Sequence, residues 1–87
     1  MASHSQSVYQ RVVRISHQYF GPAADRFIIR QVQNHLHKNP EDLSKQDLAV
    51  LIDWIRTAVA LLTEDSSIVE EYTQKLEALA HEKERPA

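Results

Sequence analysis

The chain has 87 residues, of which 10 are Lys or Arg and 12 are Asp or Glu, and its net charge is −2. This length predicts one small domain, and this charge excludes the general basic field that attracts nucleic acid or anionic lipid. The absence of cysteine excludes disulfides, thiolate metal sites and cysteine nucleophiles. The absence of cysteine also suits a reducing cytoplasm, and no apolar run approaches the roughly 20 residues that span a bilayer. We therefore expect a soluble, cytoplasmic protein with no membrane contact.

The first two predicted helices meet at the only glycine in the sequence. Apolar residues recur at helical spacing on both sides of it. Gly21 can take the left-handed conformation that ends a helix, and Pro22 fits the first turn of the next helix. The sequence therefore predicts helices over about 7–20 and 22–37, joined as a tight hairpin at Gly21-Pro22.

A third helix is predicted over about 45–63. Asn39 and Pro40 end the second helix, since the residue before a proline is pushed out of the helical region. Ser44 and Asp47 then form a capping-box pattern, which is typical of a helix start. Apolar residues cover more than half of this helix's circumference. A helix of this kind either lies at the centre of a bundle or serves a second interface.

A fourth helix is predicted over about 67–82, because Ser67 and Glu70 offer another capping box and a narrower apolar stripe follows. Every apolar pattern has the helical period, and turn residues separate the patterns. We therefore expect an all-α, four-helix bundle-like domain. It would span residues 1–87 as a single unit, ordered over about 7–82 and frayed at both termini.

Two histidines near the end of the second helix are candidate site residues. On a helix His35 and His37 point about 200° apart, so they cannot hold one metal together, and we expect no metal and no cofactor. The segment His35-Leu36-His37-Lys38 resembles the H-x-x-K core of histidine phosphotransfer modules, which are four-helix bundles. That resemblance implies a phosphotransfer role for His35 and Lys38, but it breaks at Asn39, where glycine is expected. His35 falls on the apolar face, so a partly buried structural histidine is the simpler interpretation.

Asp25 lies inside the apolar sector of the second helix, and counting from Gly21 places it near His17. We predict a structural polar pair between Asp25 and His17, because no hydroxyl or thiol is placed beside them as a nucleophile. We therefore interpret the chain as a non-enzymatic protein with no catalytic residues. DNA-associated regulation stays an alternative, because four arginines gather on the outer faces of the hairpin: Arg11, Arg14, Arg26 and Arg30. The sequence patterns typical of nucleic-acid recognition are missing, which favours a solvated arginine surface.

One edge of the third helix carries more apolar surface than neighbouring helices can cover: Val50, Trp54, Ala58 and Leu61. Left exposed, these residues would form an apolar patch of the kind that marks an interface, with Trp54 as an anchor of binding energy. We predict a homodimer or a partner helix docked along them. The alternative is that the first and fourth helices enclose the third from both sides and bury Trp54.

The segment YFGPAADRF, residues 19–27, resembles the openings of small helical domains in bacterial signal-transduction proteins. The resemblance implies a regulatory or interaction role and assigns no site residues. Acidic residues concentrate in the second half of the chain, and this asymmetry fits protein association better than DNA binding. We therefore expect a non-enzymatic regulatory or protein-interaction module that self-associates through the third helix. Phosphotransfer or DNA-associated regulation is the alternative, and no small-molecule partner is indicated.

Overall fold

The computed structural model describes residues 7–82, and within this range it contains helices and turns but no strand. The α-helices are α1 Val8–Phe20, α2 Ala24–Leu36, α3 Lys45–Leu62 and α4 Ser66–Ala80. The all-α prediction is confirmed, and each predicted helix end lies within two residues of the observed one. The expected fraying of the termini concerns residues outside the described range.

The helices form a ring in which α1 packs on α2 and α4, and α3 packs on the same two neighbours. All four helices contribute apolar side chains to one core. The fully buried members of this core are Val12, Ile28, Val32, Leu48, Leu51, Ile55, Val59, Tyr72 and Leu76. Because α2 and α4 are the neighbours of α3, the side of α3 that faces away from both is left without cover.

The hairpin between α1 and α2 is closed by a 3₁₀ turn, Gly21–Ala23, with no non-helical residue between the helices. Gly21 has φ 61° and ψ −141°, so the predicted positive φ is confirmed, although this ψ lies outside the left-handed helical region expected for a helix end. This combination is essentially restricted to glycine. A Cβ placed on Gly21 would meet no atom within 4 Å, so backbone conformation rather than space demands glycine here.

Side-chain caps explain where three of the helices begin. The predicted box at the start of α3 is confirmed, with Ser44 and Asp47 each accepting a hydrogen bond from the other's backbone N–H. An equivalent box of Ser7 and Gln10 starts α1 and was not predicted. The predicted box at Ser67 is wrong, because the Asp65 carboxylate accepts from the Ser67 backbone N–H at 3.0 Å. A carboxylate is a stronger acceptor for a first-turn N–H than a hydroxyl.

The end of α2 is formed by His37, which has the left-handed φ of 56° and ψ of 43°. Its backbone N–H donates to the Val32 carbonyl at 3.1 Å. The prediction located the end of the helix but assigned it to Asn39 and Pro40, whereas a left-handed residue closes it first. Left-handed residues at helix ends are usually glycine, so His37 is strained there.

One buried hydrogen bond joins α1 to α4. Ser16 donates its hydroxyl to the Val12 carbonyl at 2.8 Å, so at the 2.6 Å contact the Tyr72 hydroxyl donates to Ser16 Oγ. Burial raises the pKa of Tyr72 to about 12. The sequence did not reveal this bond, because a lone serine in an amphipathic helix does not indicate its partner.

Glu82, just beyond α4, ties the end of that helix to two others. Arg11 of α1 donates to both carboxylate oxygens, at 2.7 and 2.9 Å, and Lys45 Nζ lies 3.3 Å from Oε1. Hydrogen bonds from these two cations hold the pKa of Glu82 down at about 2. Arg11 is therefore engaged with α4 and does not join the other arginines of the hairpin on an open surface.

Candidate functional site

The outer stripe of α3 (Val50, Trp54, Ala58 and Leu61) follows one side of the helix, because its spacings of three and four residues return to the same face. Val50, Trp54 and Leu61 are 59%, 50% and 83% exposed, and Ala58 is half-buried. Leu62, 66% exposed, continues the apolar surface at the end of the helix. Within residues 7–82 the exposed large hydrophobic side chains all lie on α3.

The alternative arrangement, in which two helices enclose α3 and bury Trp54, is wrong. The flanking helices are α2 and α4 rather than α1 and α4. They cover the inner face of α3 completely, where the side chains are at most 4% exposed: Leu48, Leu51, Ile52, Ile55 and Val59. Half of the Trp54 surface remains open to solvent.

His35 stacks on Trp54 across the groove between α2 and α3. The ring centroids are 4.2 Å apart and the planes are inclined by only 10°. His35 is half-buried, as predicted, and it covers one face of the indole. This contact restricts the rotation of Trp54, so the tryptophan would lose less conformational freedom on binding a partner. Both residues were singled out in the sequence, but nothing there paired them.

Lys38 forms an ion pair with Asp47 rather than lying free beside His35. Its Nζ lies 2.6 Å from Asp47 Oδ2, and the hydrogen bond from Lys38 lowers the pKa of Asp47. Lys38 thus helps to hold the start of α3, while His35 packs on Trp54. His37 is exposed. The geometry therefore gives each member of the H-x-x-K motif a structural contact.

The structure does not bring His17 and Asp25 together as the predicted polar pair. Both side chains are exposed, and Asp25 Oδ1 accepts a hydrogen bond from the Tyr9 hydroxyl at 2.7 Å. His17 follows the buried Ser16, so it points about 100° away from the core side of α1. Tyr9 reaches Asp25 instead because it lies on the side of α1 that faces α2. Burial and this carboxylate raise the pKa of Tyr9 to about 12.

Within residues 7–82 no group of three or more His, Asp or Glu side chains could hold a metal ion. None of the helices in this range is long and apolar enough to cross a bilayer.

The two edges of the outer stripe have different neighbours. The contacts of His35 with Trp54 and of Lys38 with Asp47 place α2 along one edge of the stripe. Arg26 and Arg30 of α2 are exposed, but they lie about 180° and 140° around the helix from His35 and so point away from the stripe. On the other edge of the stripe, between it and α4, α3 carries the exposed Asp53, and the exposed Glu64 and Asp65 follow its end. The site is therefore an apolar stripe with α2 along one edge and exposed acidic residues along the other.

We found no match to this chain among protein-family models, curated proteins or solved structures. The candidate function accordingly follows from the geometry and charge of the chain itself.

Proposed function

We propose that this chain is a non-enzymatic regulatory or protein-interaction module of the cytoplasm that self-associates through the outer stripe of α3. One observation carries the proposal: the exposed large hydrophobic side chains of the described residues are gathered on a single helix. Scattered apolar side chains are normal on a surface, but a contiguous patch usually marks an interface. The resemblance of residues 19–27 to bacterial signal-transduction domains supports a regulatory role.

Trp54 is the proposed anchor of this interface. Aromatic side chains near the centre of a patch commonly dominate binding energy. Half of the indole is exposed, and its ring is already held by His35 at 4.2 Å. A side chain held in place before binding loses little rotamer entropy when a partner arrives.

The expected affinity sets the concentrations to test. Fully burying one such side chain stabilises by about 1.5–3 kcal/mol, so two stripes gain on the order of 10 kcal/mol. Association costs about 4–15 kcal/mol in lost freedom of motion, so a weak dimer is expected. Measurements should therefore extend from about 1 to 500 μM, where dissociation constants of weak dimers fall.

Light scattering across this range tests the proposal, with 10.0 kDa as the mass of one chain. We expect the mass to rise toward twice this value, with a blue shift of tryptophan emission, since Trp54 is the only tryptophan. Leu61→Lys should give a monomer at every concentration. The neighbouring exposed Ala60→Lys adds the same charge off the stripe and should associate like the unmodified chain. A monomer at 500 μM in the unmodified chain would end the proposal.

Histidine phosphotransfer through His35 and Lys38, or DNA-associated regulation, is the alternative proposal and has weaker support. One face of the His35 ring packs on Trp54, and Lys38 pairs with Asp47. Of the arginines, Arg11 binds Glu82 rather than an open surface. Acid-labile phosphate on His35 after incubation with a small phosphodonor would favour phosphotransfer over self-association.

A further inference from the structure

We infer that Arg26 and Arg30 of α2 form a binding site for one phosphate group, carried by a phosphorylated side chain of a protein partner. The site lies on a different side of α2 from the stripe, so it stays open when two copies associate and does not require their association. Three features point to a single phosphate: two arginines without partners, a cavity that they share, and the small number of free cations around them.

Arg26 and Arg30 are neighbours on the outward side of α2 and have no partner within the described chain. They are four residues apart, so they lie one turn from each other and about 40° apart around the helix. Both are exposed, and neither forms a salt bridge or a side-chain hydrogen bond with any residue in the range 7–82. A guanidinium presents paired N–H donors that match phosphate oxygens, and two of them balance a phosphate charge of about −1.5 to −2.

The two arginines line one cavity of about 200 Å³ together with Ala23 and Phe27. Sites for whole small molecules usually measure about 300–1,000 Å³, so this cavity has room for a single group rather than for a cofactor. The ring of Phe27 lies against that of Phe20, with centroids 5.1 Å apart, which holds the apolar wall in place. Two cations beside an apolar wall fit a phosphorylated side chain with apolar neighbours in its own chain.

No acidic residue lines this cavity. Asp25, the acidic residue of α2, lies about 100° around the helix from Arg26 and 140° from Arg30. Its carboxylate accepts a hydrogen bond from Tyr9 on the side of α2 that faces α1. Asp25 lines the adjoining cavity, which Arg26 also borders, but not the cavity that Arg30 lines. The positive charge of the two arginines is therefore not neutralised where they meet.

The number of free cations favours one phosphate over a nucleic acid. Within residues 7–38 the cations without an acidic partner are Arg14, Arg26 and Arg30, because Arg11 and Lys38 are held in salt bridges. A surface that holds DNA through about 6–10 phosphates needs a similar number of cations. The rest of the described chain has an excess of Asp and Glu, which would repel an extended polyanion.

Titration of the ¹⁵N-labelled chain with inorganic phosphate at pH 7.5, followed by NMR, tests the site directly. The guanidinium signals of Arg26 and Arg30 should shift and saturate with a dissociation constant on the order of 1–10 mM. Acetate at the same ionic strength should bind about fivefold more weakly, because its single charge balances only one arginine. Shifts that do not saturate, or equal affinities for phosphate and acetate, would overturn the site.

A short peptide with one phosphoserine between alanine residues tests the chemistry of the partner. It should bind more tightly than inorganic phosphate, since its alanines add contact with the apolar wall at Phe27. The same peptide without phosphate is the control and should not bind. Equal binding of the two peptides would overturn the role of the phosphate. Tighter binding of a short DNA duplex than of the phosphopeptide would assign the surface to nucleic acid and overturn the proposed partner.

Substitutions separate this site from general surface charge. Arg26→Gln and Arg30→Gln should each weaken phosphate binding about tenfold, because each removes one of the two cations. Arg30→Lys should bind better than Arg30→Gln but less well than the unmodified chain, since lysine keeps the charge and loses the paired donors. Arg14→Gln removes an exposed arginine outside the cavity and should bind like the unmodified chain. Equal losses in Arg14→Gln and Arg30→Gln would show a diffuse positive surface and overturn the site.

Discussion

The inner and outer faces of α3 carry apolar side chains at the same helical spacing, yet only the inner face is fully covered. Leu51, Ile55 and Val59 are 0% exposed, whereas Trp54 and Leu61 keep 50% and 83% of their surface. The difference lies in the neighbours rather than in the helix itself, because α2 and α4 pack on one side only. Helical periodicity shows that a face avoids water, but not whether the same chain or a second molecule covers it.

The largest expected effect belongs to the inner face. Ile55→Ala should lower the free energy of unfolding by about 2–5 kcal/mol, because it removes a buried side chain and leaves a cavity. Urea unfolding followed by circular dichroism measures this loss. Val50→Ala, a truncation on the outer face of the same helix, is the control and should cost far less. Similar losses for both variants would erase the distinction between the two faces.

A smaller loss of stability is expected from substitutions in the turn that joins α1 to α2. Gly21→Val should destabilise by about 1–3 kcal/mol, since a β-branched residue resists φ 61° with ψ −141°. Gly21→Ala separates backbone strain from bulk, because its Cβ would have free space. In thermal unfolding, the melting temperature of Gly21→Ala should lie well below that of the unmodified chain. An unchanged melting temperature would refute backbone strain at residue 21 as the cause.

A gain of about 0.5–1 kcal/mol is expected for His37→Gly, because glycine takes the left-handed conformation at the end of α2 without strain. His37→Ala keeps the strain and serves as the control. The outer stripe should self-associate as before in both variants, since His37 is exposed and His35 makes the contact with Trp54. A destabilised His37→Gly would show that the imidazole has a role in the fold beyond the helix end.

Acid should weaken the fold through Glu82 by a smaller amount, because its ion pairs are exposed. The pKa of Glu82 in the fold, about 2, lies below its usual value of 4.5. The stabilisation is therefore complete above about pH 4.5 and is lost as the pH falls toward 2. At pH 7 the melting temperature of Glu82→Gln should be lower than that of the unmodified chain. Near pH 2 the two melting temperatures should become equal. A difference that persists unchanged at pH 2 would contradict this electrostatic origin.

The smallest effect on folding is expected from Leu61→Lys, which changes the outer face alone. Its side chain is 83% exposed, so the free energy of unfolding should change by at most about 0.5 kcal/mol. The same variant should abolish self-association. Urea unfolding at low concentration, together with light scattering at high concentration, measures the two quantities. A large loss of stability in the monomer would show that Leu61 belongs to the fold rather than to an interface.

Local sequence was sufficient for the helices and for several of their ends. The helical period predicts all four segments, and positive φ at Gly21 and the box of Ser44 and Asp47 are confirmed. These features depend on residues a few positions apart, whose contacts follow from the geometry of one helix or turn. Asp65 displaced Ser67 as the cap of α4 because two local acceptors compete there, and the sequence pattern ranked them wrongly.

Contacts between helices required the tertiary structure. The stripe residues were recognisable as surplus apolar surface, but their exposure depended on α2 and α4 being the neighbours of α3. The same holds for His35 on Trp54, and for Asp25, which contacts Tyr9 rather than His17. A shift of one residue turns a side chain by about 100°, so such pairs depend on the rotation and offset of whole helices. Those two quantities are set by the packing of the entire core, which no single segment of the sequence contains.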